Sequence, residues 1–401
     1  MAETTTHARS SEMTARAQVG WRHGAEAALA MLMVAALLWA GGMLDAGALI
    51  SRMGRPAAEA GADAPLPGSA PPPARIVHTL KHPHAVFSVA WSPDGTQVAT
   101  GGILDMTVSI WDPAPGRLVR TLTDRPGSVR ALAYSPDGRF LAAGRGFVAR
   151  TKDHMSVDIW EAKTAALVRS LRGPAPVPTG SNDVDAMAFS ADGGHLVAAY
   201  LGVAVIYDVK TGGTIRTLPL PPRMTARPLA SSPDGRTLAG GDIRGNIRIW
   251  DATAGSLLRT IAAHSGWIEA LAYAPDGKSL VSSASGTVQQ RVDEVTGQVV
   301  RKKNEDPIRV WDPHTGTLRG ELAGHTARVQ AVRYGRGGKY LFSASQDRTI
   351  KIWDVATSRL IGTLKGHGDL IYSLALSPDG RRLASAGGSV VTIWELGADR
   401  D

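Results

Sequence analysis

Over most of its length the chain repeats one arrangement of apolar and polar positions: an apolar strand, a turn reading SPDG, a second strand, then an aromatic residue followed by an acid. The arrangement returns seven times, with turns at residues 92–95, 135–138, 190–193 (SADG), 232–235, 274–277 (APDG), 335–338 (GRGG) and 377–380. The aromatic–acid pairs are Trp111-Asp112, Trp160-Glu161, Tyr207-Asp208, Trp250-Asp251, Trp311-Asp312, Trp353-Asp354 and Trp394-Glu395. Four of the six intervals between successive turns are 42 or 43 residues, and the other two are lengthened by insertion. That period, with its turn signals and aromatic–acid pairs, predicts four-stranded propeller blades.

A fourth strand follows six of the pairs: GRLVRTL (116–122), ALVRSL (166–171), GTIRTL (213–218), SLLRTI (256–261), TLRGEL (317–322) and RLIGTL (359–364). Nothing similar follows Trp394, but a seventh copy, ARIVHTL, stands at 74–80, ahead of the first blade. The last blade is therefore expected to take its outer strand from the start of the domain and so close the ring. An open ring would expose strand edges to other chains. Over residues 75–397 these repeats resemble the WD-repeat (WD40) family, which implies an all-β, seven-bladed β-propeller. Blade two carries extra residues around 145–155 and a Pro-rich loop at 173–180. In blade five, VDEVTGQVVR (292–301) echoes WDATAGSLLR (250–259), and WDPHTGTLRG (311–320) follows. We assign Trp311 to the blade and expect an added hairpin at about 286–304; the reverse assignment stays open.

Residues 1–26 form a polar tail in which Arg9, Arg16 and Arg22 are balanced by Glu3, Glu12 and Glu26. An uncharged run, 27–44, follows between Glu26 and Asp45, and extends to residue 50 if Asp45 is included. As a helix, eighteen residues span about 27 Å, slightly less than a hydrocarbon core of about 30 Å. The segment 27–50 is read as a transmembrane or signal-anchor helix. A cleaved signal peptide, with a small-residue site at Ala46-Gly47-Ala48, and a helix packed on the propeller are the alternatives. Flanking arginines are nearly even, and a large domain can cross regardless of charge. A membrane protein with an extracytoplasmic propeller is expected; the alternatives are secretion after cleavage and a propeller facing the cytoplasm. Residues 51–74 are rich in Pro, Ala and Gly and predict a semi-extended linker. Residues 398–401 are a short tail.

With 401 residues, 43% of them hydrophobic, the chain suits one large all-β domain plus extras. It has no cysteine, which excludes disulfides, thiolate nucleophiles and Cys-ligated metal. The net charge of +8 raises a nucleic-acid reading. The arginines are scattered, often one per outer strand, and aromatic platforms interleaved with them are missing, so a solvated Arg-rich surface is the reading preferred.

The resemblance also implies a buried relay in each blade: a His before the first strand, a Ser or Thr in the second, an Asp in the next turn, and the Trp. Blade six carries His325, Ser343, Asp347 and Trp353; blade one carries His82, Thr100, Asp105 and Trp111 with one extra residue before Asp105. Blades five and seven keep His264 with Ser282 and His367 with Ser385, but Gly388 stands where blade seven should have Asp. Blades two, three and four have Arg125, Gly180 and Pro222 in place of His, so some blades are expected to be looser than blade six. Such His–Ser–Asp sets mimic catalytic triads, but they recur around the ring whereas a triad is needed once. No metal, cofactor or catalytic set stands out.

Three residues after each His-equivalent position lies a ring of loop residues: Ala85, Ser128, Asp183, Thr225, Trp267, Arg328 and Leu370. In similar propellers this ring contributes to partner binding. Trp267, Arg328, Arg348 and Leu370 are the candidate contact residues, since Trp and Arg anchor interfaces disproportionately. The sequence reads as a membrane-tethered platform for protein partners, without chemistry, nucleic acid or small-molecule substrate. The rival is an extracytoplasmic lactonase- or hydrolase-like propeller enzyme with a site at the central channel, for which Asp183, Asp185, Asp153 and His154 are the nearest cluster.

Overall fold

In the computed structural model the described residues are 74–397, without 103, 105, 123–126, 147–155, 175–182, 221–227, 287, 293–298 and 304–305. The polar tail 1–26, the apolar segment 27–50, the linker up to residue 73 and the tail 398–401 lie outside them. The described chain forms seven four-stranded antiparallel sheets, each packed against the next around a ring. Blade six shows the plan, with strands a to d at Val329–Tyr334, Tyr340–Ser345, Ile350–Asp354 and Arg359–Leu364. Blade five is built from Ile268–Tyr273, Leu280–Ala284, Ile308–Trp311 and Leu318–Leu322. Within its b–c connection, Val288–Val292 and Val299–Lys303 pair with each other as a separate two-stranded ribbon.

Blade seven contains Ile371–Leu376, Arg382–Gly387 and Val390–Leu396, and its outer strand is Ala74–Lys81. The register runs from Ala74 opposite Leu396 to Lys81 opposite Val390, with one irregularity between Ile76 and His78. The ring is closed by this pairing.

Burial follows the layers of each blade. The second strands are buried almost throughout, as Val98–Gly102 and Leu280–Ala284 are, because neighbouring blades cover both of their faces. The outer strands are exposed except for a terminal aliphatic residue: Leu80, Leu122, Leu171, Leu218, Ile261 and Leu322 are all buried. Instead of one centre, the core consists of seven apolar seams, one between each pair of successive blades. Five seams receive an aromatic ring from the residue just before the SPDG turn of the following blade: Trp91, Tyr134, Phe189, Tyr273 and Tyr334. In the blade six–seven seam Leu376 takes this place.

The SPDG turns are held by their own side chains. In the first, Asp94 Oδ1 accepts from Ser92 Oγ at 2.6 Å and from the Thr96 amide at 3.0 Å, while the Gln97 amide donates back to Ser92 Oγ at 2.9 Å. Gly95 has a φ of 72°, in the left-handed region that glycine enters at least cost. The GRGG turn of blade six lacks the Ser and Asp but keeps the backbone bond, Gly338 N to Gly335 O at 3.0 Å.

A second device crosses the rim. Two residues before the buried terminal aliphatic, outer strands carry a cation that reaches the c–d turn of the next blade. Arg120 Nη1 donates to Lys163 O at 3.4 Å, Arg169 Nε to Val209 O at 3.2 Å, and Arg259 Nη1 to Thr315 O at 2.9 Å. His78, at the same place in the closing strand, bonds Ala114 O through Nε2 at 2.6 Å. Arg120, Arg169 and Arg259 thus lie across the seams, whereas Arg319 of blade five bonds within its own blade, to Ser279 and Asp312.

If Ala74–Lys81 is a structural equal of the other outer strands, Leu80→Ala should cost about 2–5 kcal/mol, as truncations of fully buried leucines do. Leu80 is 1% exposed. Urea unfolding should show a loss similar to that of Leu218→Ala; a near-neutral Leu80→Ala would mean that the ring is not held by this strand.

Candidate partner-binding face

Because the strands alternate in direction, the d–a and b–c connections share one end of the ring, and the SPDG and c–d turns share the other. The buried relays run up to the first end. In blade six the chain of bonds is continuous: His325 Nδ1 lies 2.7 Å from Asp347 Oδ2, His325 Nε2 lies 2.7 Å from Ser343 Oγ, and Trp353 Nε1 donates to Ser343 Oγ at 2.8 Å. Burial pushes the Asp347 carboxyl up, but bonds from His325 and Thr349 outweigh it and hold the carboxyl well below its usual range. In blade seven His367 Nε2 and Trp394 Nε1 meet at Ser385 Oγ, at 2.6 and 2.7 Å.

Blade five repeats this with His264 at 2.7 Å and Trp311 at 2.8 Å from Ser282 Oγ. The acid nearest the equivalent place is Asp306, which the sequence reading missed: its Oδ2 stands 3.9 Å from His264 Nδ1, too far for a hydrogen bond, and that buried nitrogen has none. The signal was present, since Asp306 precedes Trp311 by five residues and Asp347 precedes Trp353 by six, but the inserted hairpin separates it from strand b. In blade one Trp111 Nε1 donates to Thr100 Oγ1 at 2.9 Å. His82 departs from the expected relay: its ring packs against Trp111 at 5.0 Å, and its buried Nε2 makes no hydrogen bond. The residue added before Asp105 accompanies this departure, and Asp105 itself lies outside the described residues.

The blades without His carry other buried polar anchors, none of them anticipated. In blade two Arg145 Nε pairs with Asp158 Oδ2 at 2.6 Å, both side chains being fully buried, and Ser170 Oγ donates to Asp158 Oδ1 at 2.6 Å. The Arg145 guanidinium lies 5.6 Å from the Trp160 ring centre. In blade three the Tyr200 and Tyr207 hydroxyls are 3.0 Å apart, and Tyr207 donates to Arg172 O. In blade four buried Asp242 accepts from the Arg244 and Asn246 amides and from Asn246 Nδ2.

At the loop face the candidate ring is uneven. Ser128 and Asp183 are buried, Ala85 and Leu370 are half-buried, and Thr225 lies outside the described residues. Trp267 is 58% exposed, the most exposed large apolar residue among those described. Its loop is pinned: Ser285 N donates to Trp267 O at 2.8 Å, and Trp267 N to Ser285 Oγ at 3.1 Å. Gly266 allows that approach, since a Cβ there would sit 1.7 Å from Ser285 O. Arg328 is exposed, with Nη1 3.8 Å from Glu269 Oε1, and Gln346 N bonds its carbonyl at 2.9 Å. Arg348 is exposed in the b–c turn with φ at 67°. Trp267, Arg328 and Arg348 thus belong to adjacent blades, five and six; Leu370 belongs to blade seven and is less accessible.

A channel cavity of 380 Å³ is lined by first strands and includes Phe87 stacked on Tyr372 at 4.5 Å, with Arg130, Asp185, Glu269 and Gln330. Arg130 pairs with Asp183 at 3.0 Å and with Asp185 at 3.4 Å, so two of the three acids of the rival enzyme reading are engaged by one cation. Asp153 and His154 lie outside the described residues.

The WD domain, G-beta repeat family matches the chain at residues 74–112, 116–153, 255–290, 316–354 and 358–395. The stretch 154–254, which holds the last two strands of blade two, all of blade three with its tyrosine pair, and the first three strands of blade four with the Asp242 turn, falls outside these matches. Among curated proteins, the chain is 30% identical over 301 residues to Nuclear distribution protein PAC1 of Arthroderma otae, covering 71% of this chain and 62% of that protein. It is 28% identical over 278 residues to Nuclear distribution protein nudF of Emericella nidulans, covering 68% and 60%. It is 25% identical over 219 residues to Autophagy-related protein 16 of Arabidopsis thaliana, covering 54% and 40%. The chain spans about three fifths of the length of the nuclear distribution proteins it matches.

Burial holds His82, His264 and His367 below the usual imidazole value, at about 4, 3 and 4. The unfolded chain protonates these rings near pH 6.5 and the folded chain only near pH 3–4, so the unfolded state takes up more protons across that window. Stability should be flat on their account above about pH 6.5 and fall as the pH drops towards 4. Melting curves should show this slope, and His367→Gln should flatten it. An equally steep slope in that variant would remove the His367 ring as a contributor.

Proposed function

Starting from the membership of this chain in the WD40-repeat family, we propose that it is a non-enzymatic platform whose protein partner docks on the loop face at blades five and six. The observation that carries this is Trp267: a large indole held outward by a pinned loop, beside the exposed Arg328 and Arg348. Burying an exposed indole and pairing an arginine are the contacts that dominate protein interfaces. The His–Ser–Trp sets recur in blades five, six and seven and reach into the seams, which supports a structural role for them.

The proposal includes a tether. Residues 27–50 would form a membrane-spanning signal anchor and 51–74 a spacer, with the propeller on the extracytoplasmic side. The support is the uncharged run 27–44 and the Pro/Ala/Gly composition that follows. Among the described residues no helix is long and apolar enough to cross a membrane, and 27–50 lies outside them.

Two measurements test these statements. With a partner purified and identified, Trp267→Ala should weaken binding by about 2 kcal/mol or more while leaving the melting temperature unchanged; unchanged affinity would move the contact elsewhere. External protease on intact cells and spheroplasts should cleave a full-length protein found in the membrane pellet. Protection until lysis would place the propeller in the cytoplasm, and a shortened product in the soluble fraction would mean that 27–50 is cleaved.

A further inference from the structure

The seam between blades three and four differs from the others. Its buried cluster takes Leu238 and Trp250 from blade four, but no aromatic from the position before the SPDG turn, because that residue is Ser231. The same position supplies Trp91, Tyr134, Phe189, Tyr273 and Tyr334 to five other seams and Leu376 to the sixth. In strand a of blade four, Leu229–Ser231, the Ser231 hydroxyl turns to the Ser232 carbonyl at 3.3 Å. A cavity of 160 Å³ lies here, walled by Phe189, Val197, Ile206, Ile215 and Leu238, with Ser231 in its lining. Its mouth is open to solvent past the exposed His195, Ile215 and Thr253, and its volume is close to the roughly 150 Å³ that accommodates a benzene ring.

Arg216 is the second distinctive feature. It lies in the lining of this cavity and is exposed. It occupies the outer-strand position from which Arg120, Arg169 and Arg259 donate to the next blade's turn carbonyls. Among the described residues no hydrogen bond or ion pair engages the Arg216 guanidinium, and none of the residues lining the cavity is acidic. Like Arg169 on Gly212 and Arg259 on Gly316, Arg216 lies across the seam on Gly255 of the next blade's c–d turn, but without their bond to a backbone carbonyl it borders the cavity with its guanidinium uncommitted.

We propose that this cavity between blades three and four is a binding site for a small aromatic carboxylate, whose ring fills the place left by Ser231 and whose carboxylate pairs with Arg216. The flat guanidinium matches a carboxylate in bidentate geometry. The ring gains the burial that an aromatic side chain of the chain itself gains in the five other seams. The site opens beside the SPDG and c–d turns, at the end of the ring opposite Trp267, so it is separate from the proposed partner face.

Benzoate titrated into the full-length protein, followed by calorimetry and thermal shift, provides the test. Saturable one-to-one binding with Kd below about 1 mM is expected. Benzylamine, of the same size and opposite charge, should bind at least about tenfold more weakly. Ser231→Phe should abolish benzoate binding and raise the melting temperature of the free protein, because it supplies the missing ring. Ser231→Leu, with the residue that blade seven uses, should do the same if the larger side chain prevents folding. Arg216→Gln should melt as the parent does and bind benzoate about tenfold more weakly. Absence of saturable benzoate binding overturns the proposal, as does binding unaffected by filling the cavity. Equal binding by benzylamine and benzoate, or by the Arg216→Gln protein and its parent, overturns the carboxylate assignment.

Discussion

The structure depends on one pairing: Ala74–Lys81 against Val390–Leu396. Each apolar seam is shared by two blades, so no blade buries its side chains alone, and every blade needs a neighbour on both sides. Without the closing strand, blade seven would lose its outer layer, and Leu80 would leave the seam that joins blade seven to blade one. A ring built this way has no intrinsic first or last blade, although the chain has both. The cross-seam bond from His78 to Ala114 shows the closing strand treated as any other outer strand, with the same reach into the following blade.

Within that ring, each blade solves the same local problem of placing polar atoms in a buried seam. Three use a His and a serine hydroxyl around an indole N–H, and blade one a threonine hydroxyl alone; blade two uses an ion pair, blade three a pair of tyrosines, and blade four a capped aspartate. A buried ion pair such as Arg145–Asp158 adds little net stability while intact, yet costs about 3–5 kcal/mol when one partner is removed. The expectation that some blades would be looser than blade six rested on missing relay residues, among them the His of blades two to four. The anchors found there use residues that no repeat pattern marks.

The blade count and the closing strand could be read from sequence because both are carried by a fixed period and short local spacings. The same is true of His325, Ser343 and Trp353, whose positions on adjacent strands follow from hairpin register. What escaped reading depends on contacts between blades or across an insertion. Asp306 was hidden by the ribbon that separates it from strand b, and Arg145–Asp158 looks like two unrelated charges in a line of text. The outer-strand arginines were visible as a pattern, but their targets lie about forty residues away on another blade. Ser231 was visible only as a small residue before a turn; its meaning appears when the six equivalent side chains are seen filling their seams.

The closing strand also fixes how the domain would respond to force. Ala74 and Leu396 face each other in the register, with Arg75 and Glu395 joined at 2.7 Å beside them, so the first and last residues of the propeller emerge side by side. A load pulling those two ends apart falls on one hydrogen-bonded pair at a time, beginning at Ala74, and opens the strand as a zipper. A load that slid the strand along its partner would meet all the pairs at once. The closing pair is therefore mechanically anisotropic: it is weak to peeling from Ala74 and resistant to shear along its length.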